Sequence, residues 1–314
     1  MTAVILTVTL NASVDKLYRI ETLRPGAVMR VKSVHNTAGG KGLNVSRVAA
    51  LLGEPVRALG FVGGHTGALF ESLLKDAGIE PCFTRIAAET RCCINICEEE
   101  RRGSTELLEP GNPVRPDEIE AFLQDFDRHL PAAGAVVLSG SLPRGVPVNF
   151  YAELVRRAHA AQKTVLVDAS GEAAVQALRA GPDFIKPNAD EIRQLLGQEI
   201  SGTQQALSAA RQLQRGGVAC AAVSLGRDGV VVSGGEGDLI GHTPDVAVVN
   251  TVGCGDSMVA AFAVGMVRGL PAEEQVRLAV AVSTANALTE ETGSFRREDL
   301  AELLPRIRVE HAPG

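Results

Sequence analysis

From Val56 onward the chain repeats one unit: a short apolar run, a turn of small or polar residues, then a segment with helical spacing. Residues 56–62 end in Gly63-Gly64, and the helical pattern of 65–77 stops at Gly78. Pro116–His129 reads as a further helix. Residues 135–138 precede Ser139-Gly140-Ser141, 164–167 precede Asp168, 183–185 precede Lys186-Pro187-Asn188, and 220–223 precede Ser224-Leu225-Gly226. Strands alternating with helices imply βαβ units, whose right-handed crossovers build a mainly parallel sheet covered on both faces. Ligands of such sheets bind beyond the carboxyl ends of the strands. Ser139, Ser141, Asp168, Lys186, Asn188 and Ser224 are therefore expected along one edge.

Two segments depart from this rhythm. Residues 18–34 carry short β-like pieces around Pro25-Gly26, and 90–108 alternate around Arg101-Arg102-Gly103 in the manner of a hairpin. Together they predict a small separate sheet, a flap over the larger one. Asp15 is expected at the polar tip that follows the first strand.

Glycines open two helical patterns. Gly39-Gly40-Lys41-Gly42-Leu43-Asn44 leads into a helix over 45–52, and Asn250 to Asp256, reading NTVGCGD, leads into an apolar, proline-free helix over 257–268. The first N–H groups of a helix lack intrahelical acceptors and favour anions, and glycine lets a phosphate approach the backbone. Asp256 would stand beside such an anion, placed to take a proton from an attacking hydroxyl. The first glycine segment is not a P-loop, because GxxxxGK[ST] does not fit it. A dinucleotide-binding GxGxxG is also missing after the first strand, where Asn11-Ala12-Ser13 stands.

Composition narrows the partners. A net charge of −6, two Tyr, nine Phe and no Trp leave neither a basic footprint nor stacking platforms for nucleic acid. No segment reaches the roughly 18 apolar residues of a membrane span. The apolar start of the chain lacks a basic leader and reads as a first strand, so the cytoplasm is the expected compartment. The six cysteines show no paired zinc spacing, and Cys92, Cys93 and Cys97 are expected as small hydrophobes on a strand.

With GGKGLNVSR near the start and NTVGCGDSMVAAF near the end, the chain resembles the PfkB or ribokinase-like family of carbohydrate kinases over essentially its whole length. TLNASVDK, ETRCCIN, SGSLPRGVP and KPNADE are similar to its hexose-phosphate branch, which includes 1-phosphofructokinase, tagatose-6-phosphate kinase and the minor 6-phosphofructokinase. The resemblance implies one three-layer α/β/α kinase domain over 1–314, with a β lid formed by about 12–34 and 90–108. It implies transfer from ATP, with Mg²⁺, to a sugar-phosphate hydroxyl, and a homodimer joined through the lid. Fructose 1-phosphate is the expected acceptor and tagatose 6-phosphate the alternative; a non-catalytic sugar-phosphate sensor is the remote one.

Residue by residue, the resemblance makes Asp256 the catalytic base and Gly253, Cys254 and Gly255 the N–H donors to the transferring phosphoryl group. Asp15, Gly39, Gly40, Lys41 and Asn44 match the sugar segment. Arg91 matches the lid arginine that holds the existing phosphate, with Ser141 and Arg144 completing that pocket. For the nucleotide it implies Lys186, Asn188, Ser224, Gly226, Gly229, Thr251, Gly253, Gly255 and Asn286, the last beside the adenine. Glu191 is the expected link to magnesium, through water. Asp168 has no assigned role.

Overall fold

The computed structural model describes residues 3–100 and 103–312. Its main sheet runs, from edge to edge, through Arg308–His311, Gly237–His242, Val230–Gly234, Cys220–Ser224, Phe184–Ile185, Thr164–Asp168, Ala133–Ser139, Val4–Thr9, Val56–Gly63 and Ile79–Pro81. The short strand Thr84–Ile86 also pairs with Val56–Gly63. Pairing is parallel from Ile79–Pro81 to Cys220–Ser224 and antiparallel over the last three strands. This is the mainly parallel α/β sheet that the repeated unit predicts.

Alternation along each central strand makes the three layers. Ile5, Ala135, Val137 and Leu166 face the core shared with Lys41–Leu51, Cys254–Val267 and Ala272–Ala287. Leu6, Val8, Val136, Leu138 and Val165 face the opposite core, shared with Pro116–His129 and Phe150–Ala160. Burial on both faces is why these strands read as unbroken apolar runs. The helix Cys254–Val267 is the innermost of its layer, buried without interruption from Asp256 to Gly265. Phe262 packs on Phe184 with ring centroids 4.6 Å apart. Truncating such a side chain typically costs about 3–5 kcal/mol, so the start of this helix is anchored by the core.

The small sheet has the order Ser33–Gly39, Ser13–Ile20, Arg91–Glu98, Ser104–Leu108. Three boundaries differ from expectation. Asp15 lies inside a strand, opposite Thr37 and Cys93, and not at a polar tip. The strand Ser33–Gly39 runs past the expected limit at residue 34 and leads directly into Lys41–Leu51. A thin sheet that buries little gives polar residues such as His35 no penalty, so hydrophobic alternation marks its strands poorly. Both glycine-led helices also begin earlier than their apolar patterns, at Lys41 and Cys254, because helix propensity discounts the glycines inside the first turn. Arg101 and Arg102 lie outside the described residues; the strands flanking them pair antiparallel. Cys93 is buried within Arg91–Glu98, with Cys92 and Cys97 partly covered, and all six cysteines are free thiols. Among the described residues no helix is long and apolar enough to cross a membrane.

Candidate active site

Three adjacent parallel strands end in Thr9, Ser139 and Asp168, with Asp168 paired to Ser139 and Val8 to Leu138. Thr9 Oγ1 and Ser139 Oγ are buried with no hydrogen-bond partner, and Asp168 Oδ2 has only the Lys41 ammonium, 3.6 Å away. Leaving a buried polar group unpaired costs about 1–3 kcal/mol, so the two neighbouring hydroxyls mark a place built for a polar ligand. Thr9 and Ser139 line a cavity of about 190 Å³ whose walls also include Lys41, Gly40, Arg91, Ser141 and Ser170.

Charge converges on the same edge. Lys41 Nζ lies 3.6 Å from Asp168 Oδ2 and 3.7 Å from Glu191 Oε1, and Lys186 Nζ lies 3.6 Å from Asp168 Oδ1. Burial works against the Lys41 ammonium, but Asp168, Asp256 and Glu191 together hold its pKa above the ordinary lysine value. Asp168, unassigned from sequence, thus holds two ammonium groups in place. Asn188 caps the helix Ala189–Leu196: its Oδ1 accepts from Glu191 N–H, while Glu191 Oε2 accepts from Asn188 N–H. The other Glu191 oxygen faces Lys41. Among the described residues no group of three or more His, Cys, Asp or Glu is placed to hold a metal.

Asp256 stands in the first turn of Cys254–Val267, buried to 7% exposure, and Asn44 Nδ2 donates to its Oδ2 at 2.6 Å. Burial, then the like charge of Asp168, raise its pKa to about 6 against the pull of Asn44, Lys41 and Lys186. A carboxylate in that range is ionised at pH 7 yet basic enough to take a hydroxyl proton as bonding changes. Gly253 precedes it with φ +82°, a conformation that side chains resist. Gly255 lies against Lys186, whose Nζ would be 3.3 Å from an added Cβ. Cys254 donates its N–H to Thr251 O at 3.3 Å, whereas the N–H groups of Gly253, Gly255 and Asp256 have no backbone acceptor. The exposed Thr251 contributes that carbonyl to the turn.

Asn286 is committed to protein partners. It is fully buried, and both ends of its amide are committed to the turn and the neighbouring loop. Nδ2 donates to Val252 O and to Cys254 Sγ, while Oδ1 accepts from Gly293 N–H, Ser294 N–H and Ser257 Oγ–H. Its amide clasps the turn.

The Asp15 carboxylate accepts from Ser13 Oγ–H at 2.6 Å and fills the space where a Gly39 side chain would be. Burial raises its pKa, opposed by Ser13, Arg91 and Arg47. Arg91 donates through Nε and Nη2 to Asn11 O and through Nη1 to Glu109 O. Three of its five N–H groups are thereby used, leaving two and the charge unengaged. Ser141 Oγ accepts from Asn11 Nδ2 on the cavity wall, whereas Arg144 is exposed and not among the lining residues. Ser224 bridges to Asn188, and Gly226 starts the tight turn Gly226–Asp228. Gly229 is required by packing, since a Cβ there would strike Gly241 O. Ser139 lies on the expected ligand edge, but sequence reasoning missed Thr9 as a cavity hydroxyl because a β-branched residue at a strand end is ordinary. It also missed Arg47, described below.

The model of the pfkB family carbohydrate kinases matches residues 5–298. The tagatose-6-phosphate kinase of Staphylococcus epidermidis is 36% identical over 308 residues, 97% of this chain and 99% of that protein. The 1-phosphofructokinase of Bacillus subtilis is 33% identical over 305 residues, again 97% and 99%. The crystal structure of phosphofructokinase-2 from Escherichia coli in complex with potassium superposes with a TM-score of 0.90 at 29% identity, covering 98% of this chain and 99% of that one. A sheet edge carrying two paired lysines, a buried aspartate and a glycine-led helix start is thus set in a chain that belongs to the pfkB family of carbohydrate kinases and is a sugar-phosphate kinase.

Proposed function

We propose that the chain transfers the γ-phosphoryl group of ATP to the 6-hydroxyl of fructose 1-phosphate, giving fructose 1,6-bisphosphate and ADP. The observation that carries this reading is a run of charge along one sheet edge. Arg91 and Lys41 line the cavity, Lys41 and Lys186 both pair with Asp168, and Lys186 lies against Gly255, next to Asp256. A ketohexose phosphorylated at one terminus and free at the other would extend from the cavity along this edge, its phosphate on the two unused Arg91 donors and its free hydroxyl at Asp256. Asp15 and Asn44 fix the hydroxyls between. Asp256 takes the proton of the attacking hydroxyl, the new O–P bond forms, the bond to the β,γ-bridging oxygen breaks, and ADP carries that oxygen away. Lys41 and Lys186 hold the phosphates, and the open N–H groups of Gly255 and Asp256 face the transferring group. Magnesium, when bound, neutralises phosphate charge, with Glu191 on its water shell.

Tagatose 6-phosphate is the second reading, favoured by the Staphylococcus epidermidis relative. It offers the same polarity, a phosphate at one end and a primary hydroxyl at the other. Measuring kcat/KM with both sugars at saturating MgATP decides between them. A clear preference for fructose 1-phosphate supports the proposal; equal or reversed values overturn it. We also infer a homodimer through the small sheet, whose Val34, Leu107 and Leu108 are each more than half exposed. Light scattering at micromolar concentration tests this, and a monomer overturns it. Six free thiols suit a cytosolic setting.

A further inference from the structure

We propose that Arg47 is a positioning residue for the transfer reaction, holding the Asn44 amide so that its nitrogen faces the Asp256 carboxylate. The inference rests on the reading of Asp256 as the base. Arg47 follows Asn44 by three residues on Lys41–Leu51, hence on the same side of the helix. Its Nη1 donates to Asn44 Oδ1 at 3.2 Å and its Nη2 to Ala38 O at 2.7 Å. Asn44 Nδ2 in turn donates to Asp256 Oδ2.

The two ends of a carboxamide have nearly the same shape, so its neighbours decide which way it points. Here one neighbour, the guanidinium, can only donate, and the other, the ionised carboxylate, can only accept. A flipped Asn44 would set N–H against N–H on one side and oxygen against oxygen on the other. During turnover the second constraint disappears, because Asp256 becomes an acid that can donate. Arg47 is then the group that still forces Oδ1 away from Asp256, keeping an N–H donor on the base and favouring release of its proton. The Asn44 backbone leaves little slack, since a Cβ on Gly293 would lie 2.8 Å from Asn44 Cα.

The surroundings separate this role from those of the lysines. Asp256 faces Asp168 from the strand Thr164–Asp168, Lys41 and Asn44 from Lys41–Leu51, and Lys186 from the turn after Phe184–Ile185. Arg47 faces Asp15 from the small sheet, Asp256 from the central helix and Glu291 from the loop after Ala272–Ala287. Lys41 and Lys186 act on Asp256 by charge, whereas Arg47 adds to its charge a hydrogen bond to Asn44, through which it orients the amide that holds the base. By gripping Ala38 O, Arg47 also ties the end of the small sheet to the same amide.

A double-mutant cycle tests the proposal. Arg47→Met, Arg47→Lys, Asn44→Ala and the two combinations are compared in kcat, sugar KM and the pH profile of kcat/KM. Arg47→Met is expected to lower kcat about tenfold, within the coupling range of residues in one network. Its acid limb should move to higher pH, and in the Asn44→Ala background it should cost nothing more. Arg47→Lys, which keeps one donor and the charge, should recover most of the loss and supplies the cycle if the methionine variant does not fold. Additive losses with Asn44→Ala, or an unmoved limb with activity lowered equally at every pH, overturn the role of Arg47. Full turnover by Asp256→Asn would instead overturn the reading of Asp256 as base.

Discussion

Gly253 and Gly293 meet back to back: a Cβ added to Gly253 would lie 2.8 Å from the Gly293 amide nitrogen. Gly255, two residues on, faces only the end of the Lys186 side chain, 3.3 Å from an added Cβ. The same substitution therefore has different expected outcomes. Gly253→Ala must adopt φ +82° and push into backbone, so Tm and kcat should both fall, the strain alone costing about 1–2 kcal/mol. Gly255→Ala displaces a flexible ammonium, so Tm should hold while the KM for ATP rises. Thermal melts with ATP titrations check the pair; equal loss of Tm in both would refute the distinction.

Replacing the base tests the chemistry. Asp256→Asn is expected to reduce kcat roughly 10²–10⁴-fold, the usual worth of a positioned general base, with little change in nucleotide or sugar affinity. Isothermal titration alongside steady-state kinetics measures both. A loss confined to KM would contradict the assignment.

The raised pKa of Asp256 sets two pH dependences. The carboxylate acts only when ionised, so kcat/KM should fall below about pH 6. Removing the like charge with Asp168→Asn should shift this limb to lower pH, even as the loss of the lysine anchor lowers the plateau. For stability the sign is the reverse of the usual acid case. The folded pKa, about 6, exceeds the ordinary aspartate value of 3.8, so folding binds a proton between these values and the fold loses stability as pH rises through that window. Asp256→Asn removes the penalty, at most about 3 kcal/mol. Its Tm should exceed that of the parent at pH 8, and the gap should close towards pH 4.

Asn286→Ala discriminates a clasp from an adenine contact. It strands the buried N–H groups of Gly293 and Ser294, each costing about 1–3 kcal/mol. Tm and kcat should fall together, with ATP and GTP affected alike. A selective change in nucleotide preference with an intact Tm would restore the adenine contact.

The repeated apolar runs determined the fold class, because a strand buried on both faces can carry little else than apolar residues. They also placed Ser139, Asp168, Lys186 and Ser224 at strand ends, which in a parallel sheet is the ligand edge. The glycines before Asp256 marked where a helix starts for the same local reason. Sequence could not tell what each polar side chain does once there. Asp168 became the partner of two lysines from different segments, Asn286 the clasp of a turn 34 residues away, and Arg47 the orienting group of an amide that reaches Asp256 across 212 residues. The small sheet was legible only in outline, since its exposed faces impose no hydrophobic period. Local patterns record burial and backbone shape, which each segment carries by itself; hydrogen-bond partners and shared charge arise only when distant segments are packed together.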